Sequence, residues 1–387
     1  MQDAFITKIH IEKVRHLQNI DIVLSNTERV HLIFTGKNGS GKTSLLEAMK
    51  ICILNAQYNG SRITSNKVDN YNIWNNQHKQ IEEGKNSGVN ITYSPDNINL
   101  YEIVFAYIPV FRSKFTAPKV IEQVFIEGKN YVTRNASKDF LKYILNLDYQ
   151  LYGAKNDKNK ILEKNLDKWF LNFQSALREV YNCEELELRR DAKNLRFIVE
   201  MPEREPFSLH EMADGYAACL DIYMELLMRF ENEHSEVDYD TPAIVLIDEI
   251  ETHLHVELQK RILPFLTKMF PNVQFIAATH SPFVINSLDN AVIFDLEKKT
   301  RLENPSFYSY ETILESFLDT DMYSSKLKAY FERYKELCFK ERTPEENDEF
   351  LRAKSELEMK ALPSKELYIA FQEIAKVRKA EKNGTSE

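Results

Sequence analysis

The residues with the clearest chemical potential form a glycine-rich stretch near the N-terminus. Residues 36–43 follow the pattern Gly-x-x-x-x-Gly-Lys-Thr. Small residues at this spacing let backbone N–H groups close around phosphate oxygens, and the dipole of a following helix favours the same anion. The ammonium of Lys42 can reach the β- and γ-phosphates, and the hydroxyl of Thr43 can ligate Mg²⁺. The residues predicted to contact a bound nucleotide are Gly36, Lys37, Asn38, Gly39, Ser40, Gly41, Lys42, Thr43 and Ser44.

Two adjacent carboxylates provide the second chemical feature. Residues 243–247 form an apolar run typical of a buried strand, and Asp248 and Glu249 follow it directly. Next to a bound triphosphate, Asp248 can hold Mg²⁺ through its water shell, and Glu249 can orient and deprotonate the attacking water. Two acids in this position could also be a solvated strand end. The glycine-rich stretch favours the catalytic interpretation, with Asp248 as a metal ligand and Glu249 as the general base.

Histidines supply the third feature. His280 follows the apolar run 273–278, and a neutral imidazole at the end of such a strand can hydrogen-bond a γ-phosphate and sense its loss. We therefore include His280 with Lys42 and Glu249 among the predicted catalytic residues. His253 and His255 are spaced as a metal pair could be, but two ligands are a weak signal. A structural role beside the nucleotide is the favoured interpretation for that pair.

Apolar patterning predicts the elements that must position these residues. The glycine-rich stretch lies between a strand at 30–34 and a helix at 44–54, which distinguishes a phosphate loop from a surface turn. The fold class predicted from the whole pattern is α/β. The other predicted elements are strands within 5–35 and at 101–110, 184–190, 194–201 and 291–296, and helices at 138–151, 160–182, 214–231 and 256–269.

Composition predicts how the chain is divided. A length of 387 residues with 43% hydrophobic residues predicts two domains, or one large domain carrying an insertion. We expect an ATPase-like head over 1–305, with a polar, loop-heavy insertion at about 55–100 and a helical lobe at about 136–205. Residues 306–387 are predicted to be a helical partner or oligomer surface, with a helix starting at Thr343. In residues 324–341, an apolar face at helical spacing comprises Leu327, Tyr330, Phe331, Tyr334, Leu337 and Cys338. Packing of this face against the head is the alternative to a partner surface.

Charge and cysteine content exclude several classes. The net charge of −9 argues against a general nucleic-acid coat, although a local basic groove remains compatible with it. The four cysteines are scattered, so a zinc hook is not expected. No apolar run approaches the roughly 18 residues of a membrane span, and no secretory signal is visible. The expected location is therefore the cytoplasm, without a membrane partner.

The motifs together resemble a known family. Residues 36–43, 244–249, 251–255 and 279–282 resemble the ABC-type ATPases of the SMC/RecF/OLD group, in particular the AAA-family ATPases of bacterial anti-phage loci such as Septu and retron systems. Val256 replaces a proline that is usual in those proteins. The resemblance implies a P-loop NTPase fold with an ABC/SMC-like head and a mixed sheet. It also implies ATP and Mg²⁺ as cofactors, and hydrolysis of ATP to ADP and phosphate.

The same resemblance implies further nucleotide contacts. The family has a segment that touches ATP from the opposite subunit, and its match here is Ala213, Asp214 and Gly215, where Ser-Gly-Gly would be usual. Ala213 has no hydroxyl for the γ-phosphate, but a helix N-terminus can still offer backbone N–H groups. Arg15 matches a family position near the nucleotide, and Arg112 matches one near the glutamine loop.

The family relationship also implies partners. The implied assembly is a homodimer or higher homo-oligomer with ATP at the interface, acting in defence with a separately encoded effector nuclease of the HNH type. A RecF-like ATP-dependent DNA-binding protein in repair is the alternative, and in either case DNA is a candidate partner. A transporter ATPase subunit fits less well because of the His-Leu-His segment and the large insertion. No long heptad pattern and no nuclease motif are present in the sequence.

Overall fold

The computed structural model describes residues 4–64, 87–96, 98, 100, 103–110, 140–230, 241–310, 312–313, 325–338 and 342–360. The chain divides into two compact units, Met1–Leu318 and Asp319–Glu387. Among the residues so described, no helix is both long enough and apolar enough to cross a bilayer.

The strands are β1 (Phe5–Val14), β2 (Leu17–Val23), β3 (His31–Thr35), β4 (Val89–Ser94), β5 (Val104–Ile108), β6 (Glu187–Asp191), β7 (Arg196–Met201), β8 (Arg204–Ser208), β9 (Ala243–Ile247), β10 (Val273–Ala278), β11 (Ala291–Asp295) and β12 (Thr300–Glu303). The helices are α1 (Lys42–Thr64), α2 (Phe140–Asn156), α3 (Lys160–Tyr181), α4 (Asp214–Phe230), α5 (Val256–Met269), α6 (Pro282–Ile285), α7 (Ser325–Cys338) and α8 (Pro344–Lys360).

A six-stranded mixed sheet forms the centre of the first unit. Its strand order is β12-β11-β3-β10-β9-β5, and only β12 runs antiparallel to its neighbour. Every residue of β3, β9, β10 and β11 is buried, as continuous apolar strands of a parallel sheet are when both faces are covered. Because these strands are parallel, their carboxyl ends meet at one edge, where ligands of α/β sheets bind.

A second sheet, β2-β1-β4, is antiparallel and is joined to the first through one buried amide. The side chain of Gln274 on β10 accepts a hydrogen bond from Ile6 N–H at 2.7 Å. It also donates to the carbonyls of Ile6 at 3.0 Å and Val30 at 2.7 Å. Each polar atom of this fully buried side chain is thus satisfied, which fixes the two sheets against each other.

The lobe that follows combines two long helices with a small antiparallel sheet. Asn159 caps the N-terminus of helix α3, and its side chain accepts a hydrogen bond from Leu162 N–H. Asn182, in the left-handed conformation, caps the C-terminus. The outward-facing sheet has the order β6-β7-β8. An ion pair of 2.5 Å between Arg190 and Asp148 ties β6 to α2. An aromatic cluster that includes Trp169 and Phe173 fills the space beneath the helices.

The second unit contains the paired helices α7 and α8. The rings of Tyr334 and Phe350 stack with centroids 5.2 Å apart. Thr343 and Glu346 form the reciprocal bonds of a capping box, which confirms the predicted helix start. Of the predicted apolar face, Tyr334 and Leu337 are buried. The side chains of Leu327, Tyr330, Phe331 and Cys338 lie outside the described residues.

Most predicted elements are confirmed, and two segments differ from prediction. The expected loop-heavy insertion at 55–100 begins as helix, because α1 continues to Thr64, and it includes strand β4. Its polar composition was misleading, since the buried Gln57 is satisfied by the carbonyls of Leu100 and Ile103. Residues 65–86 lie outside the described part. The lobe at 136–205 ends in three strands, of which β6 and β7 were predicted and β8, a polar edge strand containing Pro206, was missed.

Candidate nucleotide site

The glycine-rich loop connects β3 to α1 and has a backbone that only glycine adopts easily. The φ angles of Gly36, Gly39 and Gly41 are 130°, 85° and 98°. A Cβ atom on Gly36 would lie 2.9 Å from the Oγ atom of Ser40, and one on Gly41 would lie 3.1 Å from Leu17. Helix α1 starts at once, with Leu45 N–H bonded to the Gly41 carbonyl at 2.8 Å. The loop therefore presents the N-terminus of a helix through a close-fitting turn.

Lys42 is buried at the centre of this loop. Its ammonium donates to the carbonyls of Gly36 at 2.8 Å and Lys37 at 3.2 Å. Burial lowers the pKa of Lys42, and four nearby carboxylates oppose that effect. These carboxylates belong to Glu251, Glu249, Asp248 and Asp295. The ammonium thus lies near several carboxylates, at the helix terminus where phosphate groups bind in this type of loop.

Asp248 and Thr43 bring two hard oxygen donors together. Asp248 is 1% exposed, and its backbone N–H bonds to the Ile108 carbonyl on β5 at 2.9 Å. Burial raises the pKa of the Asp248 carboxyl, while the nearby Thr43 side chain lowers it. A carboxylate beside a hydroxyl fits Mg²⁺, which uses few protein oxygens and completes its shell with phosphate and water. Among the described residues, no group of three His, Cys, Asp or Glu side chains could hold a metal ion.

Glu249 has an unusual backbone conformation. Its φ is 42°, in the left-handed region that is costly for a residue with a side chain. The Thr252 hydroxyl lies 3.4 Å from its Oε2 atom. Such strained residues cluster at functional sites, where the surrounding structure holds them in place. Glu249 is half-buried next to Asp248 and close enough to Lys42 to raise the lysine's pKa.

The loop after β10 is anchored by a carboxylate that the sequence reasoning did not assign. Glu251 accepts from the Thr279 hydroxyl at 2.7 Å and from the His280 N–H at 2.6 Å. Ser281 then donates to Gln259 on α5 at 2.6 Å. Burial lowers the pKa of His280, and nearby Lys42 lowers it further. The lowered pKa favours the neutral imidazole at pH 7, which can still donate one N–H to a phosphate oxygen.

The start of the helix of segment 213–215, at Gly215, lies against residues that follow the acidic pair and not against the glycine-rich loop. Ala213 and Asp214 are exposed and Gly215 is buried at the start of α4. A Cβ atom on Gly215 would lie 3.2 Å from the His253 carbonyl and 3.3 Å from the His255 ring. These nearest neighbours follow the acidic pair, and none belongs to the glycine-rich loop. The two histidines thus contact the start of α4.

The remaining predicted residues fall into two groups. Arg15 is exposed in the turn between β1 and β2 with a φ of 53°. Its neighbours His16 and Leu17 are among the atoms closest to a Cβ built on Gly41. The turn therefore lies against the loop, although no contact defines a role for the arginine itself. Arg112 lies outside the described residues.

A second acidic residue was also missed by sequence reasoning. Asp295 ends the buried strand β11, and its Oδ1 accepts from the N–H groups of Glu297 at 2.8 Å and Lys298 at 3.0 Å. Glu297 pairs with the Lys37 ammonium at 3.4 Å, which links this turn to the glycine-rich loop. An acid directly after a continuous apolar strand is the same signal that identified Asp248, so the sequence did contain it.

These features define the class of protein. A largely parallel sheet with a Gly-x₄-Gly-Lys-Thr loop between β3 and α1, and an Asp-Glu pair after β9, is the architecture of a P-loop NTPase. Comparison with known proteins then narrows the class. Residues 112–286, less than half of the chain, match the family model described as "AAA domain, putative AbiEii toxin, Type IV TA system".

Relatives by sequence include a Septu protein and a retron ATPase. The chain is 26% identical over 313 residues to the Septu protein PtuA of Bacillus mycoides (strain KBAB4). This alignment covers 78% of this chain and 42% of that protein. It is 36% identical over 100 residues to the Retron Ec83 probable ATPase of Escherichia coli, covering 25% and 18%. The predicted resemblance to Septu and retron ATPases is thereby confirmed. The matched part spans less than half the length of each of these relatives.

A comparison of structures gave a weaker likeness. A crystal structure of an SmcHead bound to the C-winged helix domain of ScpA aligns with a TM-score of 0.40 at 13% identity, covering 78% of this chain and 95% of that one. The fold described above stands without it.

Proposed function

We propose that this chain binds ATP with Mg²⁺ and hydrolyses it. The observation that carries the proposal is the position of Lys42, buried in the loop at the start of α1 and within electrostatic reach of Asp248, Glu249 and Glu251. An ammonium so placed neutralises triphosphate charge, and the surrounding acids supply a metal ligand and a base. The backbone N–H groups of 36–44 would cradle the phosphates.

Each side chain has a distinct task in this proposal. Mg²⁺, when bound, neutralises the β- and γ-phosphates. Thr43 and Asp248 would hold it, and Lys42 would contact the same phosphates from the loop. Glu249 would orient a water molecule and accept its proton. His280, neutral at pH 7, would hydrogen-bond the γ-phosphate from the loop after β10.

Replacing Glu249 with glutamine tests the hydrolytic part. Glu249→Gln keeps the size of the side chain but removes the proton acceptor, so hydrolysis should fall by about 10²-fold or more. Affinity for a fluorescent ATP analogue should stay within a few-fold of wild type, because Lys42 and the loop are unchanged. Glu257→Gln, on the exposed face of α5, is the matched control and should behave as wild type. Near-normal phosphate release by Glu249→Gln would show that the base lies elsewhere.

We further propose that two copies complete each site. One chain contains one glycine-rich loop and one 213–215 segment, and Gly215 packs on His253 and His255 instead of on the loop of its own chain. A second copy related by two-fold symmetry would bring its 213–215 segment to the first copy's loop and complete two sites at once. ATP would then stabilise the assembled form by its preference for it.

The biological setting we propose is anti-phage defence. The similarity to Septu protein PtuA and to a retron ATPase supports this setting. We also propose that the chain acts with a separately encoded effector nuclease of the HNH type. The second unit would supply a partner surface. A plaque assay of this chain with its neighbouring genes tests the setting: protection should require Lys42 and persist in Glu257→Gln. Protection without any second gene would contradict a separate effector.

A RecF-like repair function remains the alternative. It is supported by 32% identity over 68 residues, 18% of this chain and 17% of the relative, to the DNA replication and repair protein RecF of Rickettsia typhi (strain ATCC VR-144 / Wilmington). The plaque assay separates the two, because a repair protein would change survival after DNA damage and not plaque number.

A further inference from the structure

In the α2–α3 hairpin, residues 149–168 form a tip that exposes large apolar side chains. Tyr149 and Tyr152 on α2 are 61% and 59% exposed, and Ile161 at the start of α3 is 78% exposed. Residues three apart on a helix are neighbours, so the two tyrosine rings form one surface. The opposite side of α2 buries residues such as Leu147 and Ala154 in the core. The exposed rings are therefore not needed for packing of the hairpin.

Lysines accompany these rings. The exposed cations of the tip are Lys155, Lys158, Lys160, Lys164 and Lys168, and the carboxylates of the same stretch are Asp157, Glu163 and Asp167. Two ion pairs form, Lys155 with Asp167 at 3.4 Å and Lys160 with Glu163 at 2.8 Å. Such exposed pairs are weak and exchange readily for a stronger anion.

Three of the lysines keep their charge available. Lys158, Lys164 and Lys168 form no ion pair with any residue that the structure describes. Residues four apart on a helix share a face, so Lys160, Lys164 and Lys168 form one row along α3. The tip is thus locally basic in a chain whose net charge is −9. Concentrated positive charge on an acidic protein marks a place where phosphate can bind.

We infer that this tip binds single-stranded nucleic acid. The row of lysines on α3 suits the phosphate backbone, and the exposed rings on α2, which the Lys155–Asp167 pair joins to α3, suit unstacked bases. Sequence-tolerant single-strand binders combine these two features. An acidic peptide would use the lysines but gives no reason for two exposed tyrosines side by side. A duplex would use the lysines but keeps its bases stacked. The inference is independent of the proposed ATPase function, because none of these residues belongs to the nucleotide site.

The charge component is tested by salt dependence. Binding of a fluorescein-labelled oligothymidylate to the full chain is measured by anisotropy without nucleotide, over a range of salt concentrations. Combining Lys158→Glu, Lys164→Glu and Lys168→Glu should weaken binding more than tenfold and reduce the slope of log affinity against log salt by about 2, at roughly 0.7 per lost phosphate contact. Lys335→Glu, in the second unit, makes the charge change of one of these three substitutions and should leave both quantities unchanged.

The aromatic component is tested separately. Tyr149→Ala with Tyr152→Ala should weaken oligothymidylate binding roughly tenfold or more and change binding of a duplex of equal length little. Phe307→Ala, at another exposed aromatic residue, is the matched control. Parallel titrations with oligouridylate tell whether DNA or RNA is preferred. The inference is overturned if the wild-type chain binds no single strand at low salt, if it binds duplex more tightly, or if the tip variants bind as wild type does.

Discussion

The N-termini of α1 and α4 differ in the charge of their first turns, although small residues precede both helices. Helix α1 has no acidic residue in its first turn and is preceded by glycines in the left-handed region. Helix α4 begins with Asp214, an acid in its own first turn, and is preceded by Ala213. The N-terminus of any helix carries a partial positive charge. In α4 the Asp214 carboxylate of the same helix already offsets this positive charge. In α1 no acidic side chain of the first turn does so, and a bound anion can offset it instead.

The difference shows how unequally the two halves of a shared site would contribute. At α1 the dipole, Lys42 and Thr43 all favour an anion, so that half should determine nucleotide affinity. At α4 the carboxylate of Asp214 would oppose a phosphate, and Ala213 offers no hydroxyl. The α4 half should therefore contribute geometry, through backbone N–H groups, more than charge. Variants in each half test this difference.

Removing the cation of the α1 half should have the largest effect. Lys42→Ala leaves the phosphates and the surrounding carboxylates without their shared counter-charge, so ATP affinity should fall by about two orders of magnitude. Lys37→Ala is a control in the same loop, because the Lys37 ammonium already pairs with Glu297 and should matter little. Titration with a fluorescent ATP analogue measures both. Equal losses in the two variants would mean that Lys42 has no special role.

Loosening the loop that carries His280 should have the next largest effect. Glu251→Ala removes the acceptor of two hydrogen bonds from Thr279 and His280, and a shift of about 1 Å in such a loop can cost on the order of 10²-fold in rate. Nucleotide affinity should change little. Glu251→Gln keeps an acceptor for the His280 N–H and should retain more activity than the alanine variant. If both variants hydrolyse ATP as wild type does, the anchoring is structural only.

The same pair of variants has a pH signature. The Glu251 carboxylate raises the pKa of His280, so its removal should lower that pKa further. If neutral His280 is required, the acid limb of the pH–rate profile should move to lower pH in Glu251→Gln. A shift to higher pH would contradict this assignment.

The sequence predicted the framework of this site better than its supporting contacts. Continuous apolar strands with motifs at their ends identified β3, β9 and β10, because parallel strands bring such ends together. The anchoring role of Glu251 could not be predicted, since it depends on where the loop after β10 passes. Gln274 was missed for a similar reason: a polar residue inside an apolar strand is explained only by the neighbouring sheet that it bonds.

Mixing two inactive chains tests whether the α4 half acts across subunits. Gly215 is a poor place for a disruptive charge, because even a Cβ atom there would crowd His253. Ala213→Glu places the carboxylate at an exposed position instead. Lys42→Ala and Ala213→Glu chains should each be inactive alone. Mixed in equal amounts, they should recover roughly a quarter of wild-type hydrolysis, because half of the dimers are mixed and each keeps one of two sites. No recovery despite demonstrated subunit exchange would argue against a shared site.

The smallest expected effect concerns Asp214. Without nucleotide, Asp214→Asn removes a charge that favours the α4 terminus, so the free energy of unfolding should fall by about 0.3–1 kcal/mol, as measured by urea denaturation. With ATP present, the same substitution should increase activity. An asparagine no longer repels the γ-phosphate of a second copy, so hydrolysis at low protein concentration should rise a few-fold through tighter assembly. Asp289→Asn, at another exposed acid, should change neither quantity. If Asp214→Asn lowers ATP-dependent activity while folding normally, the carboxylate assists the shared site, and the contrast between the two helix N-termini does not describe their roles.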